Sequence, residues 1–312
     1  MSVDLSAVQA AAERIRPFVH RTPVLTSSTF DAELGAHLFF KCENLQKVGA
    51  FKARGAVNAV LSLPEAERAE GVVTHSSGNH AAALAYAARI CGVRCTVVMP
   101  DTAPAIKATA VRGYGADIVW CKNAERQATA DRVLAERGGT FVHPFDRDEI
   151  IAGQGTAALE LLDEVGAVDV MVAPVGGGGL LGGTAIVTKS RCPEARVIGA
   201  EPEAVDDAYR SLQSGVRQPA VPTPQTIADG LLTGLGERNF AILQERDVEI
   251  ITVDEPAIVA AARDVLERMK ILIEPSAGTV LAVLRREPER WRGLRIGLVL
   301  SGGNTDFAWL ER

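Results

Sequence analysis

One lysine, Lys52, lies among small and apolar residues in segment 49–56, directly before a stretch with helical apolar spacing. An ammonium group is costly to bury unless it is paired or takes part in chemistry. Burial also lowers the pKa of a lysine, which makes available the neutral amine that a Schiff base with an aldehyde requires. The ordinary alternative is a lysine whose alkyl stem packs against the protein while its charged end reaches water. Two further segments favour the chemical interpretation.

A serine-rich turn separates a buried strand pattern at 71–74 from a helical pattern at 81–90; its sequence is Ser76-Ser77-Gly78-Asn79-His80. The first N–H groups of a helix have no partner inside the helix, so such a turn binds a carboxylate or a phosphate well. The alternative is a serine or asparagine that caps the helix and binds no ligand.

A run of four glycines follows a strand pattern at 169–173 and precedes a helical pattern: Gly176, Gly177, Gly178 and Gly179. Without β-carbons, this backbone can close around an anion with its N–H groups, which indicates a phosphate site. Gly177, Gly179 and Gly182 also match G-x-G-x-x-G, and acidic Glu201 follows about 20 residues later, as in dinucleotide-binding folds. A dinucleotide-dependent oxidoreductase is therefore a rival interpretation.

The composition is that of an ordinary α/β protein with scattered charges. Its 312 residues exceed one small core and predict two domains. A net charge of −6 and dispersed basic residues argue against nucleic acid or an anionic membrane as a partner. No apolar run is long enough to span a bilayer, and the N-terminus lacks the pattern of a signal peptide. The 5 cysteines, an odd number without C-x-x-C spacing, indicate reduced thiols and a cytoplasmic protein.

Strand and helix patterns alternate along most of the chain. The strand candidates are at 38–42, 72–74, 95–99, 117–121, 169–173, 197–201 and 296–301. Helical patterns follow most of them, which predicts an α/β fold with parallel sheets and helices on both faces.

Together these segments resemble the fold type II pyridoxal-phosphate enzymes, and within them the serine/threonine dehydratase and serine racemase group. The resemblance runs from about residue 15 to about residue 310 and rests on segments 51–56, 76–80, 152–156, 176–179, 273–278 and 301–304. It implies two three-layer α/β domains with mostly parallel sheets. The larger domain would combine 1–69 and 146–312, the smaller would span 70–145, and the cofactor would sit in the cleft between them.

The resemblance also implies roles for individual residues. Lys52 would hold the aldehyde of pyridoxal 5'-phosphate and, once released, would remove the substrate's α-proton. The four glycines would bind the phosphate, Asn79 the phenolic oxygen and Ser301 the ring nitrogen. A neutral serine at the ring nitrogen leaves the ring a weaker electron sink, which favours prompt departure of a β-leaving group.

Substrate contacts follow from the same resemblance. Ser76, Asn79 and His80 are candidates for binding the α-carboxylate, together with Ser77 in the same turn. Ser77 would also face Lys52 across the ring, where a racemase needs a group that returns a proton. Arg126 falls where a similar enzyme has an arginine near the substrate, and a solvated surface arginine is the alternative on that polar helix.

A metal site is implied by segment 201–207, which resembles a racemase segment that holds a divalent cation. The matching ligands are the carboxylates of Glu201 and Asp207 and the main-chain carbonyl of Val205. Oxygen ligands suit Mg²⁺, or Mn²⁺ or Ca²⁺ in its place. The alternative is an acid-capped helix start without metal.

These inferences predict a pyridoxal-phosphate dependent L-threonine/L-serine dehydratase that converts a small amino-acid substrate to a 2-oxo acid and ammonia. Alternatives in the same family are a serine or other amino-acid racemase, and a 3-hydroxyaspartate dehydratase in which Arg126 meets the second carboxylate. Alternatives of another class are the dinucleotide-dependent oxidoreductase and a cofactor-binding protein without turnover. The resemblance also implies a homodimer.

Overall fold

The computed structural model describes residues 3–103 and 105–311. Its α-helices are Leu5–Ile15 (α1), Ser28–Leu34 (α2), Lys52–Ser62 (α3), Glu65–Ala69 (α4), Asn79–Cys91 (α5), Ala105–Gly113 (α6), Arg126–Arg137 (α7), Asp148–Val165 (α8), Gly179–Arg191 (α9), Asp207–Ser214 (α10), Glu237–Glu245 (α11), Glu255–Asp264 (α12) and Pro275–Arg286 (α13). Its strands are Val24–Leu25 (β1), His37–Cys42 (β2), Val72–His75 (β3), Cys95–Pro100 (β4), Asp117–Cys121 (β5), Thr140–Phe141 (β6), Val170–Pro174 (β7), Arg196–Pro202 (β8), Glu249–Val253 (β9) and Arg295–Leu300 (β10).

The strands form two sheets. The six-stranded sheet has the order β1-β2-β10-β7-β8-β9, and its neighbours are parallel except for β1 against β2. The four-stranded sheet has the order β5-β4-β3-β6, and its strands are all parallel. The predicted α/β class with mostly parallel sheets is confirmed. The predicted domain boundaries, at 69/70 and 145/146, stay predictions.

Helices cover both faces of the larger sheet. On one face Ile258 of α12 and Val280 of α13 share a buried apolar cluster with Val172 of β7. On the other face Leu161 of α8 packs in a cluster with Met171 of β7. Each fully buried side chain of this size contributes about 1.5–3 kcal/mol to stability. The alternating apolar runs of the sequence therefore produce the three layers.

Helix α3, which begins at Lys52, packs against elements of both sheets. Val57 and Val60 belong to the same apolar cluster as Leu84 of α5 and Val97 of β4 in the smaller sheet. The helix also contacts α8, which covers the larger sheet. Lys52 is therefore carried by a helix that the two halves of the molecule share.

Helix α8 lies between α3 and α9 and touches both through glycines. A β-carbon on Gly153 would come within 2.6 Å of the Cα of Gly55 in α3. A β-carbon on Gly183 of α9 would come within 2.5 Å of the backbone nitrogen of Gly155. The three helix backbones thus approach as closely as backbone atoms allow, and this fixes the Lys52 helix relative to the glycine run that begins α9.

A buried ion network reinforces the contact between α3 and α8. The guanidinium of Arg54, which is fully buried, donates to both carboxylate oxygens of Glu43 and of Glu160. Lys41 donates to Glu160 over 2.7 Å. Removing one member of such a network leaves a buried charge without its partner, which is strongly destabilising.

All seven strand candidates coincide with strands of the structure, namely β2, β3, β4, β5, β7, β8 and β10. The alternation of strand and helix patterns in the sequence did not predict β1, β6 or β9. Across residues 3–103 and 105–311, the helices are too short or too polar to cross a membrane.

The glycine contact between α8 and α9 makes a testable prediction. In Gly183→Ala the added methyl group would meet Gly155 N and Ile151 O, each within 2.5 Å. We expect a loss of about 1–3 kcal/mol in the free energy of unfolding, because the backbones must separate. Urea denaturation followed by circular dichroism would measure it.

The matched control is Gly113→Ala, because a β-carbon at Gly113 in α6 meets nothing within 4 Å. Alanine is the better helix former, so this variant should stay within about 1 kcal/mol of the parent. Equal stability of the two variants would mean that the helices can separate without cost.

Candidate active site

The Nζ atom of Lys52 lies inside the cleft between the two sheets. It donates a hydrogen bond of 2.9 Å to the carbonyl of Pro144 in the segment after β6. Removal from water lowers the pKa of Lys52 from 10.5 to about 8, while the nearby Glu274 carboxylate acts in the opposite direction. A substantial fraction of this amine is therefore neutral near physiological pH, as a lysine that bonds to an aldehyde requires.

The four glycines form a buried turn between β7 and α9. Gly178 has φ = +89°, a left-handed conformation that suits glycine. Among the described residues, the backbone N–H groups of Gly176 through Leu180 have no hydrogen-bond acceptor, although all of these residues are buried. Buried N–H groups are rarely left without a partner, so this turn fits an anion such as a phosphate.

The turn after β3 brings Asn79 to the first position of α5. Its amide Nδ2 donates to both oxygens of Glu274, over 3.1 and 3.0 Å, and its Oδ1 accepts from Asn304 Nδ2 over 3.0 Å. Ser76 Oγ accepts from the Gly78 N–H over 3.3 Å. The turn therefore meets the larger sheet's loops directly across the cleft.

Ser301 follows β10 and is held beside Lys52 by backbone pairing. Its carbonyl accepts from the Phe51 N–H over 3.0 Å, and Gly302 bridges to Ala50. Its side chain is buried. The carboxyl ends of β2, β7 and β10, which are neighbours in one sheet, thus bring Lys52, the glycine turn and Ser301 to the same edge.

Comparison with known proteins agrees with this arrangement. A sequence model of the family described as "Pyridoxal-phosphate dependent enzyme" matches residues 15–302. The chain belongs to this family. Pyridoxal phosphate is therefore its cofactor, and the glycine turn and Lys52 have the chemistry that the phosphate and the aldehyde require.

Individual relatives are similar over nearly their whole length. The chain is 47% identical over 316 residues to a serine racemase of Dictyostelium discoideum, an alignment that covers 100% of this chain and 98% of the relative. It is 47% identical over 300 residues to a beta-hydroxyaspartate dehydratase of Paracoccus denitrificans, covering 96% and 95%. A solved structure of a threonine deaminase from T.th. superposes with a TM-score of 0.93 at 44% identity, covering 98% and 99%.

The predicted substrate residues occupy different environments. His80 is buried, and its Nε2 lies 3.3 Å from the Val142 carbonyl, so its imidazole is held against the segment that follows β6. Arg126 begins α7, next to Gln127, whose amide oxygen lies 3.0 Å from Nε2 of His75. Burial, and after it the charge of Arg126, lowers the pKa of His75. Arg126 therefore lies near the strand end that precedes the Ser76 turn, and its role at the substrate stays a prediction.

The predicted metal ligands are buried acids at the end of β8. The two oxygens of Glu201 accept from the N–H groups of Ala208 and Tyr209 in the first turn of α10, over 2.9 and 2.8 Å. Asp207 accepts from the Leu235 N–H over 2.8 Å. Glu201 itself thus caps α10.

These contacts do not use every lone pair of the two carboxylates. Burial raises the pKa of Glu201 to about 8 and raises that of Asp207. Within the described residues neither carboxylate forms an ion pair with a basic side chain. Each oxygen keeps a second lone pair, and a divalent cation would offset the cost of two buried acids.

Two features of the site were not predicted. One is Glu274, which lies within segment 273–278 but received no role. The other is the loop at 143–146. There His143 Nδ1 accepts from the N–H groups of Phe145 and Asp146, over 3.3 and 2.9 Å. Burial lowers the pKa of His143 to about 4, so it stays a neutral acceptor at neutral pH.

The same loop touches the glycine turn. A β-carbon on Gly177 would come within 2.2 Å of the Phe145 ring, and Asp146 accepts from the first N–H groups of α11. Only the fold brings these segments together. The sequence therefore offered one hint that this loop belongs to the site, the alternation of Phe141, His143 and Phe145.

The Lys52 environment makes a testable prediction. Cofactor-free protein incubated with pyridoxal phosphate and borohydride should be labelled at Lys52, as peptide mapping would show. Because the pKa is about 8, the labelling rate should rise with pH through that value and level off above it.

The control is Lys122→Ala, which removes a mostly exposed lysine and should leave the label unchanged. Lys52→Ala should abolish it. A label that persists in Lys52→Ala would assign the attachment to another lysine.

Proposed function

We propose that the protein eliminates water from L-serine and L-threonine and releases a 2-oxo acid and ammonia. The observation that carries the proposal is Ser301, a buried neutral hydroxyl held beside Lys52 at the edge where β2, β7 and β10 end. A neutral partner at the ring nitrogen favours reactions in which the β-leaving group departs promptly. When bound, the cofactor withdraws electrons from the substrate's α-carbon.

The chain's own residues then have defined roles. The N–H groups at the start of α5, near Ser76, bind the α-carboxylate. Lys52 accepts the α-proton as its amine, since a pKa of about 8 makes it a competent base near neutral pH. The proton that Lys52 has taken passes to the β-hydroxyl, which leaves as water. The enamine product then tautomerises to an imine, and water replaces its nitrogen to give the 2-oxo acid and ammonia. Asn79 and Ser301 would hold the ring at its phenolic oxygen and its nitrogen.

A second candidate substrate is 3-hydroxyaspartate. What supports it is the 47% identity to a beta-hydroxyaspartate dehydratase, together with the place of Arg126 at the start of α7, next to the Gln127 that contacts His75. A guanidinium pairs well with a second carboxylate. Racemisation is the other family activity, and it requires Ser77 to return a proton from the face opposite Lys52.

A substrate panel tests the proposal. Purified holoprotein would be given L-serine, L-threonine and the isomers of 3-hydroxyaspartate, with 2-oxo acid, ammonia and D-serine measured together. We expect equal amounts of 2-oxo acid and ammonia from L-serine, and slower formation of D-serine. D-serine that forms faster than pyruvate would make the protein a racemase, and no 2-oxo acid from any substrate would refute the dehydratase.

Variants at α7 separate the substrates. If Arg126 binds a second carboxylate, Arg126→Met should reduce kcat/KM for 3-hydroxyaspartate by about tenfold to a hundredfold and leave L-serine unaffected. Arg132→Met removes an exposed arginine of the same helix and should change neither. Equal losses for both substrates would mean that Arg126 supports the fold of the small sheet.

We further propose that Glu201, Asp207 and the Val205 carbonyl bind Mg²⁺, Mn²⁺ or Ca²⁺. The support is the pair of buried acids without basic partners among the described residues. The ion would join the end of β8 to α10 and so act on stability. We expect a chelator to lower the melting temperature and the rate together, and added ion to restore both, because binding to the folded state alone is stabilising.

Two variants test the metal site. The double variant Glu201→Gln, Asp207→Asn should respond to neither chelator nor ion. Glu203→Gln, which changes an exposed neighbouring acid, should respond like the parent. A parent protein that ignores chelator in melting temperature and contains no metal would leave Glu201 as a helix cap only.

Three further predictions concern the rival function, the oligomeric state and the location in the cell. Membership of the pyridoxal-phosphate dependent family disfavours the dinucleotide-dependent oxidoreductase. The homodimer and the cytoplasmic location stay predictions, and light scattering of the purified protein would test the first of them.

A further inference from the structure

The Glu274 carboxylate joins loops of the two sheets. It lies just before α13, is almost fully buried, and accepts from Asn79 Nδ2 of the smaller sheet's turn over 3.1 and 3.0 Å. It also accepts from the Asn304 N–H over 3.3 Å. Gly302 leaves space for it, because a β-carbon there would come within 2.8 Å of the carboxylate. Glu274 is thus enclosed by the turn that follows Ser301 and by Asn79.

These contacts fix which way the Asn79 amide faces. Asn304 Nδ2 donates both to Asn79 Oδ1 and to the Val48 carbonyl, over 3.0 and 2.7 Å. If the Asn79 amide were reversed, its oxygen would face the Glu274 carboxylate and its NH₂ group would face the Asn304 NH₂ group. Both contacts would then be repulsive. Glu274 and Asn304 together therefore select one orientation of the amide.

The selected orientation leaves a donor available. An amide NH₂ group carries two N–H bonds, so one can serve Glu274 while the other serves a second acceptor. The phenolic oxygen of the cofactor is such an acceptor. A reversed amide would present an oxygen to it instead of an N–H.

The protonation of Glu274 depends on burial and on the charged side chains near it. Lys52 lies in the same cleft, where the carboxylate favours the charged form of the lysine. Asp229 and Lys107, which form an ion pair across the cleft, act on Glu274 in opposite directions. Burial raises the pKa of Glu274 to about 7, so near neutral pH its charge varies while its hydrogen-bond acceptors remain.

We propose that Glu274 is a positioning residue that holds the Asn79 amide with its free N–H directed at the cofactor's phenolic oxygen. The proposal rests on the proposed contact between Asn79 and that oxygen. It differs from a charge effect on Lys52, because it depends on an acceptor at this position and not on a negative charge.

Two substitutions of Glu274 distinguish the effect of its hydrogen-bond acceptor from the effect of its negative charge. Glu274→Ala removes both, whereas Glu274→Gln removes the charge and keeps a carbonyl that accepts from Asn79. The readouts are the dissociation constant of pyridoxal phosphate and the visible absorption of the bound cofactor. We expect Glu274→Ala to weaken cofactor binding by about tenfold or more and to shift the absorption, because the buried Asn79 amide would lose its acceptor. Glu274→Gln should stay within about threefold of the parent.

The control is Asp229→Asn, which breaks the other ion pair across the cleft and leaves the Asn79 contacts in place. It should retain the parent spectrum. A Glu274→Gln variant as weak as Glu274→Ala would refute positioning in favour of charge, and an unaltered Glu274→Ala would remove the role altogether.

A double-variant cycle covers the case in which Glu274→Ala disturbs folding generally. If Glu274 acts through Asn79, then Glu274→Ala should add little to the loss already caused by Asn79→Ala. Additive losses would refute the proposal. Failure of the dehydratase proposal can be told apart from failure of the Glu274 proposal. In the first case the parent protein would bind the cofactor but release no 2-oxo acid.

Discussion

The site depends on one close contact: helix α8 touches α3 and α9 backbone against backbone, through Gly153 with Gly55 and Gly155 with Gly183. Lys52 stands at the start of α3, and the glycine turn stands at the start of α9. The separation between Lys52 and the glycine turn is thus set by how closely three helices approach. The Arg54 network fixes α3 against α8, because Arg54 of α3 donates to Glu160 of α8 and to Glu43 in the segment after β2.

Burial dominates the electrostatics of the cleft. It lowers the pKa of Lys52 and of His143 and raises that of Glu274, so all three groups are displaced toward their neutral forms. In such surroundings a hydrogen bond is strengthened and an unpaired polar group is costly. The orientation of one amide, or the neutrality of one hydroxyl, therefore has more effect than it would at the surface.

The sequence predicted much of this because its signals are local. The runs at 95–99 and 169–173 are apolar and bounded by turn residues, and both are central strands. By contrast β1 and β6 have two residues each, too few for any periodicity, and β9 lies at the edge of its sheet. Glu274 could not be assigned a role from its own segment, because its partners at 79 and 304 are brought to it only by the folded chain. The site roles given to Lys52, Ser77 and the four glycines stay predictions.

Helix α3 belongs to the packing of both sheets, and this has a mechanical consequence. If one sheet rotated relative to the other while α3 kept its contacts with both, the rotation axis would lie near α3. Lys52, at the first residue of this helix, would then move least. The displacement grows with distance from the axis, toward the ion pair of Lys107 and Asp229 and the cavity of about 680 Å³ that they line. Such a hinge would let the outer edge of the cleft admit and release small molecules while the Lys52 end of the cleft stays in place.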